Sequence, residues 1–347
     1  MSPNSTEGSL FNNILEYRIQ RALWTYCSPF LILIGTVGSL LSVVVLNRPR
    51  IGRFRSPTFI YLKYLAFGDI LMLNGCLFPD WIAYAFGINI RLNSVGCKIH
   101  SFLVYLSTDF TNWILVAVTV DRCIAVCFPL KARTYDHFRI CKVVILSIFV
   151  GMTILNLHLF WNMTTVDEDE PCVEANNFTL HVWPWIDFCI FCVVPFLVMF
   201  ICNAFLLRAI TKSRRKAISY ADSRISITIN PINRDIFERR SSHLTKMLLT
   251  VSSVFLCLTF PIIIVELPPY VFFHENSKGE DFARYKLAWT IGNMLQYVNS
   301  AGHFFMYFLT CPSFQNELKC LLCNCRQHHV KRRGRISTVS LPLPPLT

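Results

Sequence analysis

Seven apolar stretches, each long enough to cross a bilayer, constrain this chain more than any single motif. Read at about 20 residues per crossing, they fall near residues 27–46, 58–86, 97–127, 141–161, 182–210, 244–272 and 287–309. Of the 347 residues, 53% are hydrophobic and only 16% are charged, too few to cover a large water-facing surface. In lipid a segment must satisfy its own backbone, which leaves helices or a closed barrel. The alternation of every second residue that marks a barrel strand is missing from these stretches. The expected fold is an all-α membrane protein, a seven-transmembrane helix bundle over 27–309, preceded by an extracellular segment 1–26 and followed by a cytoplasmic tail 310–347. The first 26 residues show no short apolar core with a small-residue cleavage site, so the first span is expected to do the targeting itself.

Orientation follows from Lys and Arg, which favour cytoplasmic loops. Arg48, Arg50, Arg53 and Arg55 follow span one, Lys131, Arg133, Arg139 and Lys142 follow span three, and further basic residues crowd segment 211–246 and the tail. These segments are expected in the cytoplasm, with the amino terminus outside. The sequons at Asn4, Asn162 and Asn177 all fall in segments placed outside, where glycosylation occurs. A formal charge of +12 spread over short loops beside spans reads as topogenic charge near an anionic leaflet, not as a nucleic-acid surface. Most of the 15 cysteines lie in spans or on the reducing side. Cys97 and Cys172 do not, and are expected to pair and tie the loop "DEDEPCVEANN" across the top of the third helix.

Charged residues at membrane depth are costly, about 2.5 to 3.5 kcal/mol on insertion scales, so Asp121-Arg122 at the end of span three marks function. A transporter would show internal repeats and broken helices in matching positions, and neither is seen. His158, His303 and the scattered cysteines form no metal-ligand spacing, so an enzyme is not expected. "FQNELKCLLCNC", from Phe314 to Cys325, has the pattern of a short amphipathic helix on the membrane surface, an eighth helix on the cytoplasmic side. Cys320, Cys323 and Cys325 are its candidate palmitoylation sites. Ser241, Ser242, Ser337, Thr338 and Ser340 follow basic residues and are candidate phosphorylation sites.

From Pro29 to Cys325 the chain resembles the rhodopsin-like (class A) G-protein-coupled receptors. Leu65-Ala66-Phe67-Gly68-Asp69 resembles the acidic motif of the family's second helix, and Asp121-Arg122-Cys123 its Asp-Arg-Tyr motif. Pro195 and Pro261 resemble the prolines of helices five and six, and "NSAGHFFMYF" the end of helix seven. Ser39, Phe149, Asn203, Thr259 and His303-Phe304 depart from the family pattern, and the altered seventh helix resembles that of divergent invertebrate neuropeptide receptors. No Lys lies within 287–309, so the Schiff base of a light receptor is not expected.

The resemblance implies that Asp121 holds Arg122 at rest, that outward movement of helix six frees it for a heterotrimeric G protein, and that Tyr307 belongs to the same coupling end. It implies receptor kinases and an arrestin as further partners. Asp69, with Thr111, Asn299 and Ser300, is the candidate metal site for an allosteric sodium ion; a protonated, hydrogen-bonded Asp69 without sodium is the competing reading. Beyond that ion no cofactor is expected.

The ligand reading rests on acids. Asp80, Asp109, Asp187 and Glu266 are expected in the outer half, below a loop carrying Asp167, Glu168, Asp169, Glu170 and Glu174. Val104 stands where the family's amine receptors carry their Asp, so a small amine fits poorly. Separated acids suit an extended cationic peptide, steered by the loop and paired with Arg or Lys. Tyr105, Thr108, Asn293 and the aromatic rings of Trp183, Trp185, Trp289 and Tyr297 complete the expected pocket. A small non-peptide or lipid ligand is the alternative, as is an Asp109 satisfied inside the protein.

Overall fold

The computed structural model describes residues 15–48, 57–128, 136–165, 172–174, 176, 178, 181–222, 231–266 and 280–323. Eight helices carry almost all of them. We name these α1 (Leu15–Leu46), α2 (Thr58–Phe86), α3 (Ser94–Cys127), α4 (His137–Asn156), α5 (Trp183–Asp187 continuing through Val194–Asp222), α6 (Pro231–Glu266), α7 (Glu280–Thr310) and α8 (Pro312–Leu322). Local sequence sets several ends. Gly87, at φ 73°, caps α2 in the left-handed conformation that costs glycine little. The Asn93 carboxamide accepts from Val95 N at 3.0 Å to start α3, and Asp136 accepts from Phe138 N at 3.2 Å to start α4.

The helices form one bundle with α3 at its centre, flanked by α2, α4 and α5, while α6 and α7 pack along each other and α7 closes against α1. The end that holds Cys97 is called here the disulfide end, and the opposite one the Arg122 end. Among the described residues, six helical spans are long and apolar enough to cross a membrane. The seventh, α7, is more polar because Thr290, Asn299, Ser300 and His303 are buried, turned into the bundle and away from lipid. Outward-facing Phe30, Leu33, Leu146, Ile154, Phe200 and Leu309 are more than half exposed, as lipid-facing side chains should be.

Helix α1 begins well before the expected residue 27. Its first turns stay helical because they pack on α7, where Glu16 reaches Arg284 at 3.9 Å and buried Trp24 donates to Thr290 Oγ1 at 3.3 Å. The boundary expected between residues 26 and 27 therefore falls inside a continuous helix. Helix α6 likewise begins at Pro231, ahead of the expected 244, and residues 267–272 of that span lie outside the described residues.

Without a hydrophobic force between helices in lipid, close approach depends on small residues. Buried Gly35, Gly38, Ser39 and Ser42 provide it on α1. A methyl group at Gly35 or Gly38 would stand 2.9 Å from the Ala301 or Phe304 Cβ of α7, inside ordinary contact. Gly38→Leu is expected to push α1 off α7 and cut the surface level severalfold by flow cytometry. Gly151→Ala on α4, where nothing lies within 4 Å, should leave it unchanged.

Two strands of two residues, β1 (Met163–Thr164) and β2 (Val173–Glu174), pair antiparallel at the disulfide end. At the other end α8 leaves α7 at Cys311 and buries Phe314 and Leu318 in the main core. It occupies the segment expected to form an eighth helix.

Candidate functional site

At the disulfide end Cys97 is bonded to Cys172 with their Cα atoms 5.6 Å apart, as expected from their shared compartment. The bond and the β1–β2 ladder hold β1, β2 and Cys172 at this end of α3, with Leu159 and Met163 packed on the disulfide and Tyr105 beside it. Asn4, Asn177 and the acids of residues 167–170 lie outside the described residues. Asn162 is 6% exposed, and its Oδ1 accepts from Asn176 Nδ2 at 2.8 Å.

The acids of this end are engaged within the protein more than expected. Asp80 is buried, with Arg91 Nη2 at 3.1 Å and His100 Nε2 at 3.8 Å. Asp109 is 1% exposed and accepts from Asn156 Nδ2 of α4 at 2.9 Å. Both were expected to face an entering cation; Asp80 is instead ion-paired with Arg91, and Asp109 takes the alternative expected for it, a hydrogen bond inside the protein, because a buried carboxylate without a partner is costly. Asp187 remains half-buried at the start of α5. Glu266 ends α6, and its side chain lies outside what the structure describes.

An aromatic cluster stands beside these acids. Trp24 stacks on Tyr84 with centroids 5.3 Å apart and lies 6.5 Å from Trp289 and 6.3 Å from Tyr297. Trp289 and Tyr297 were expected in the pocket; Trp24 and Tyr84 were not, because Trp24 falls before the expected first span. Trp183 is buried against His158 at 3.8 Å between centroids, apart from that cluster. Thr108 donates to Val104 O at 2.7 Å and Asn293 to Trp289 O at 2.8 Å.

Three π-helical turns, Leu23–Cys27 in α1, Met72–Leu77 in α2 and Phe188–Val193 in α5, interrupt the regular ladders. A π turn shifts the hydrogen-bond register and leaves carbonyls open. Side chains from neighbouring helices take them. Trp81 Nε1 donates to Thr25 O at 3.1 Å, and His100 Nε2 lies 3.4 Å from Cys76 O. Asn112 Nδ2 and Trp113 Nε1 of α3 donate to Phe191 O and Ile190 O, both at 3.2 Å.

Below this level a polar cavity opens between α2, α3, α6 and α7, lined by Thr108, Thr111, Asn112, Thr259, Gln296, Asn299, Ser300 and His303 among others. Asp69, fully buried beside it, takes a hydrogen bond of 2.8 Å at Oδ2 from His303 Nδ1. Asn299 Nδ2 lies 3.5 Å from His303 Nε2. The His303 ring lies parallel to Tyr307 at 6.2 Å, and Tyr307 meets Phe314 of α8 edge-on at 6.1 Å.

At the Arg122 end the guanidinium grips Asp121 with two nitrogens on one oxygen, Nη2 at 2.7 Å and Nε at 3.1 Å. Arg122 is buried, so the pair is a held structure and not a solvated one. Ser252 of α6 donates to Asn203 Oδ1 of α5 at 2.9 Å, joining the two helices. Cys320 and exposed Cys323 sit at the end of α8, and Cys325 lies outside the described residues.

One helix, α3, thus carries a tethered, acid- and aromatic-lined end and a gripped arginine end, which is the architecture of a multi-pass membrane receptor. The chain matches the model of the 7 transmembrane receptor (rhodopsin family) over residues 39–302, and it belongs to that family. It is 24% identical over 331 residues to the thyrotropin-releasing hormone receptor of Mus musculus, covering 88% of this chain and 79% of that one. It is 23% identical to the G-protein coupled receptor 54 of Oreochromis niloticus, covering 83% and 75%. Against the FMRFamide receptor of Drosophila melanogaster it is 24% identical, covering 81% and 50%.

Proposed function

We propose that the chain is a plasma-membrane receptor for an extracellular peptide, with its disulfide end outside and its Arg122 end coupling to a heterotrimeric G protein. The observation that carries this reading is the pair of ends on α3: the tether at Cys97 and the ion pair at Arg122 lie about 37 Å apart along one rigid helix, at about 1.5 Å per residue. A ligand pressing on the tethered loop and a transducer competing for Arg122 would then bias one bundle from opposite sides. Relatives named for thyrotropin-releasing hormone and for FMRFamide support a peptide, and the second name, read as one-letter code, describes an amidated peptide with one arginine. Kinases, an arrestin and acylation at Cys320, Cys323 and Cys325 belong to the same reading, with α8 held against the lipid surface.

A basic peptide remains the proposed agonist, with Asp187 and Glu266 as the acidic partners to test first, since Asp80 and Asp109 lie buried in the bundle. The test is a screen of amidated and basic peptides on cells expressing the chain, read by calcium and cyclic nucleotide. With the agonist found, Asp187→Asn and Glu266→Gln should each raise the half-effective concentration, about tenfold for every 1.4 kcal/mol lost. A neutral lipid agonist indifferent to both substitutions would overturn the peptide reading and leave the receptor itself in place.

A further inference from the structure

The candidate sodium site around Asp69 can be tested against the atoms present. A hard monovalent cation needs several oxygens aimed at one point, and nitrogen is a poor substitute. Thr111 does not aim its oxygen there. Its hydroxyl turns back along α3 to Ser107 O at 2.8 Å and Thr108 O at 2.9 Å, and its methyl group is pressed toward Gly68 of α2, next to Asp69. Ser300 acts as a hydrogen-bond donor within the protein, its hydroxyl lying 3.3 Å from the Met72 thioether and within hydrogen-bonding reach of the Asp69 carboxylate. Asn299 presents its amide nitrogen to His303 at 3.5 Å, which leaves its buried Oδ1 as the one carboxamide oxygen among the expected ligands without a partner. Asp69 itself is joined at Oδ2 to the His303 imidazole, and no group of three or more His, Cys, Asp or Glu side chains that could hold a metal ion occurs among the described residues.

The donor set is therefore a carboxylate with one oxygen, Oδ2, taken by an imidazole from the facing helix. We propose that His303 takes the place a cation would occupy, so that Asp69 of α2 is tied directly to α7 and the receptor has no specific use for sodium. The tie is a strut between two helices that otherwise meet sparsely: α2 and α7 touch mainly here and around the π turn of α2. Its position explains why the departure at residue 303 is tolerated. His303 pairs with one oxygen of the buried carboxylate, Oδ2, from within the fold, and its ring also lies along Tyr307, so one side chain links Asp69 to the Tyr307–Phe314 contact.

The test is the melting temperature of the full-length receptor in detergent micelles, followed by intrinsic fluorescence in matched sodium, potassium and choline chloride. Wild type should melt at one temperature in all three salts, and a saturable rise specific to sodium would overturn the proposal. Melting requires neither agonist nor transducer, so either outcome leaves the peptide-receptor reading untouched. A double-mutant cycle adds a second arm that does not depend on salt. Asp69→Asn and His303→Phe, the latter keeping the ring against Tyr307, should each lower the melting temperature, and the double variant should fall no further than the worse single. Additive losses would mean the two residues act separately and would also overturn it. The wild-type salt comparison decides the matter even where a variant fails to fold.

Discussion

Replacing Arg122 by alanine is expected to reduce agonist-driven nucleotide exchange to the level of cells lacking the receptor, while surface level and agonist binding stay within about twofold, the change that roughly 0.4 kcal/mol would cause. The argument is one of position. Arg122 lies far down α3 from Cys97, so its loss leaves the tethered end untouched. What disappears is a cation held in reserve: Asp121 grips it through two nitrogens, and a transducer must offer acceptors good enough to take it over. Arg122→Lys separates charge from geometry, because an ammonium keeps the charge but cannot use the planar fork. It should signal at an intermediate level. Exchange at wild-type amplitude in Arg122→Ala would remove this end from the coupling mechanism.

The second large effect is at the disulfide. Cys97→Ala or Cys172→Ala should lower surface expression and agonist response together, and the double variant should be no worse than either single, since one bond is lost in each case. The bond closes a loop with a sequence separation of 75. Chain entropy puts its stabilisation at about 4 kcal/mol at most, because helices that stay inserted in the unfolded state already restrict that loop. The functional loss should exceed the stability loss. Without the bond the β1–β2 ladder, two residues a side, still joins Val173–Glu174 to β1, but the covalent link to α3 is gone. Flow cytometry for surface level and a calcium readout for response separate the two, and normal values in both variants would refute the role.

Much of this was legible because lipid simplifies the problem. Length and apolarity alone mark a span, so α2 to α5 fall close to where their residues place them. Asp121-Arg122 stands out because charge is rare at that depth. Partners across the bundle were not legible. Nothing in the local sequence of Asp109 points to Asn156, and nothing near Asp80 points to His100, since both contacts join different helices. The early start of α1 was hidden for a related reason: its first turns are polar, and only packing on α7 makes them helical. A mixed segment such as Leu15–Ala22 reads as a solvated tail until its partner surface is known. His303 was visible as a departure from the family, yet its hydrogen bond to Asp69 needed the facing helix.

The π turns in α1, α2 and α5 carry a consequence for how this half of the bundle can change over time. Each holds one residue more than a regular turn, and each has an open carbonyl met by a donor from another helix. Removing a single residue within Met72–Leu77 would let α2 close into an unbroken α-helix. Residues beyond the deletion would keep their faces, because the wide turn already absorbs the extra residue. Asp80 would still meet Arg91 and His100, and what would go is the open carbonyl of Cys76 that His100 now approaches. A single-codon deletion, normally ruinous inside a transmembrane helix, is here a change the helix can take up without re-aiming either end.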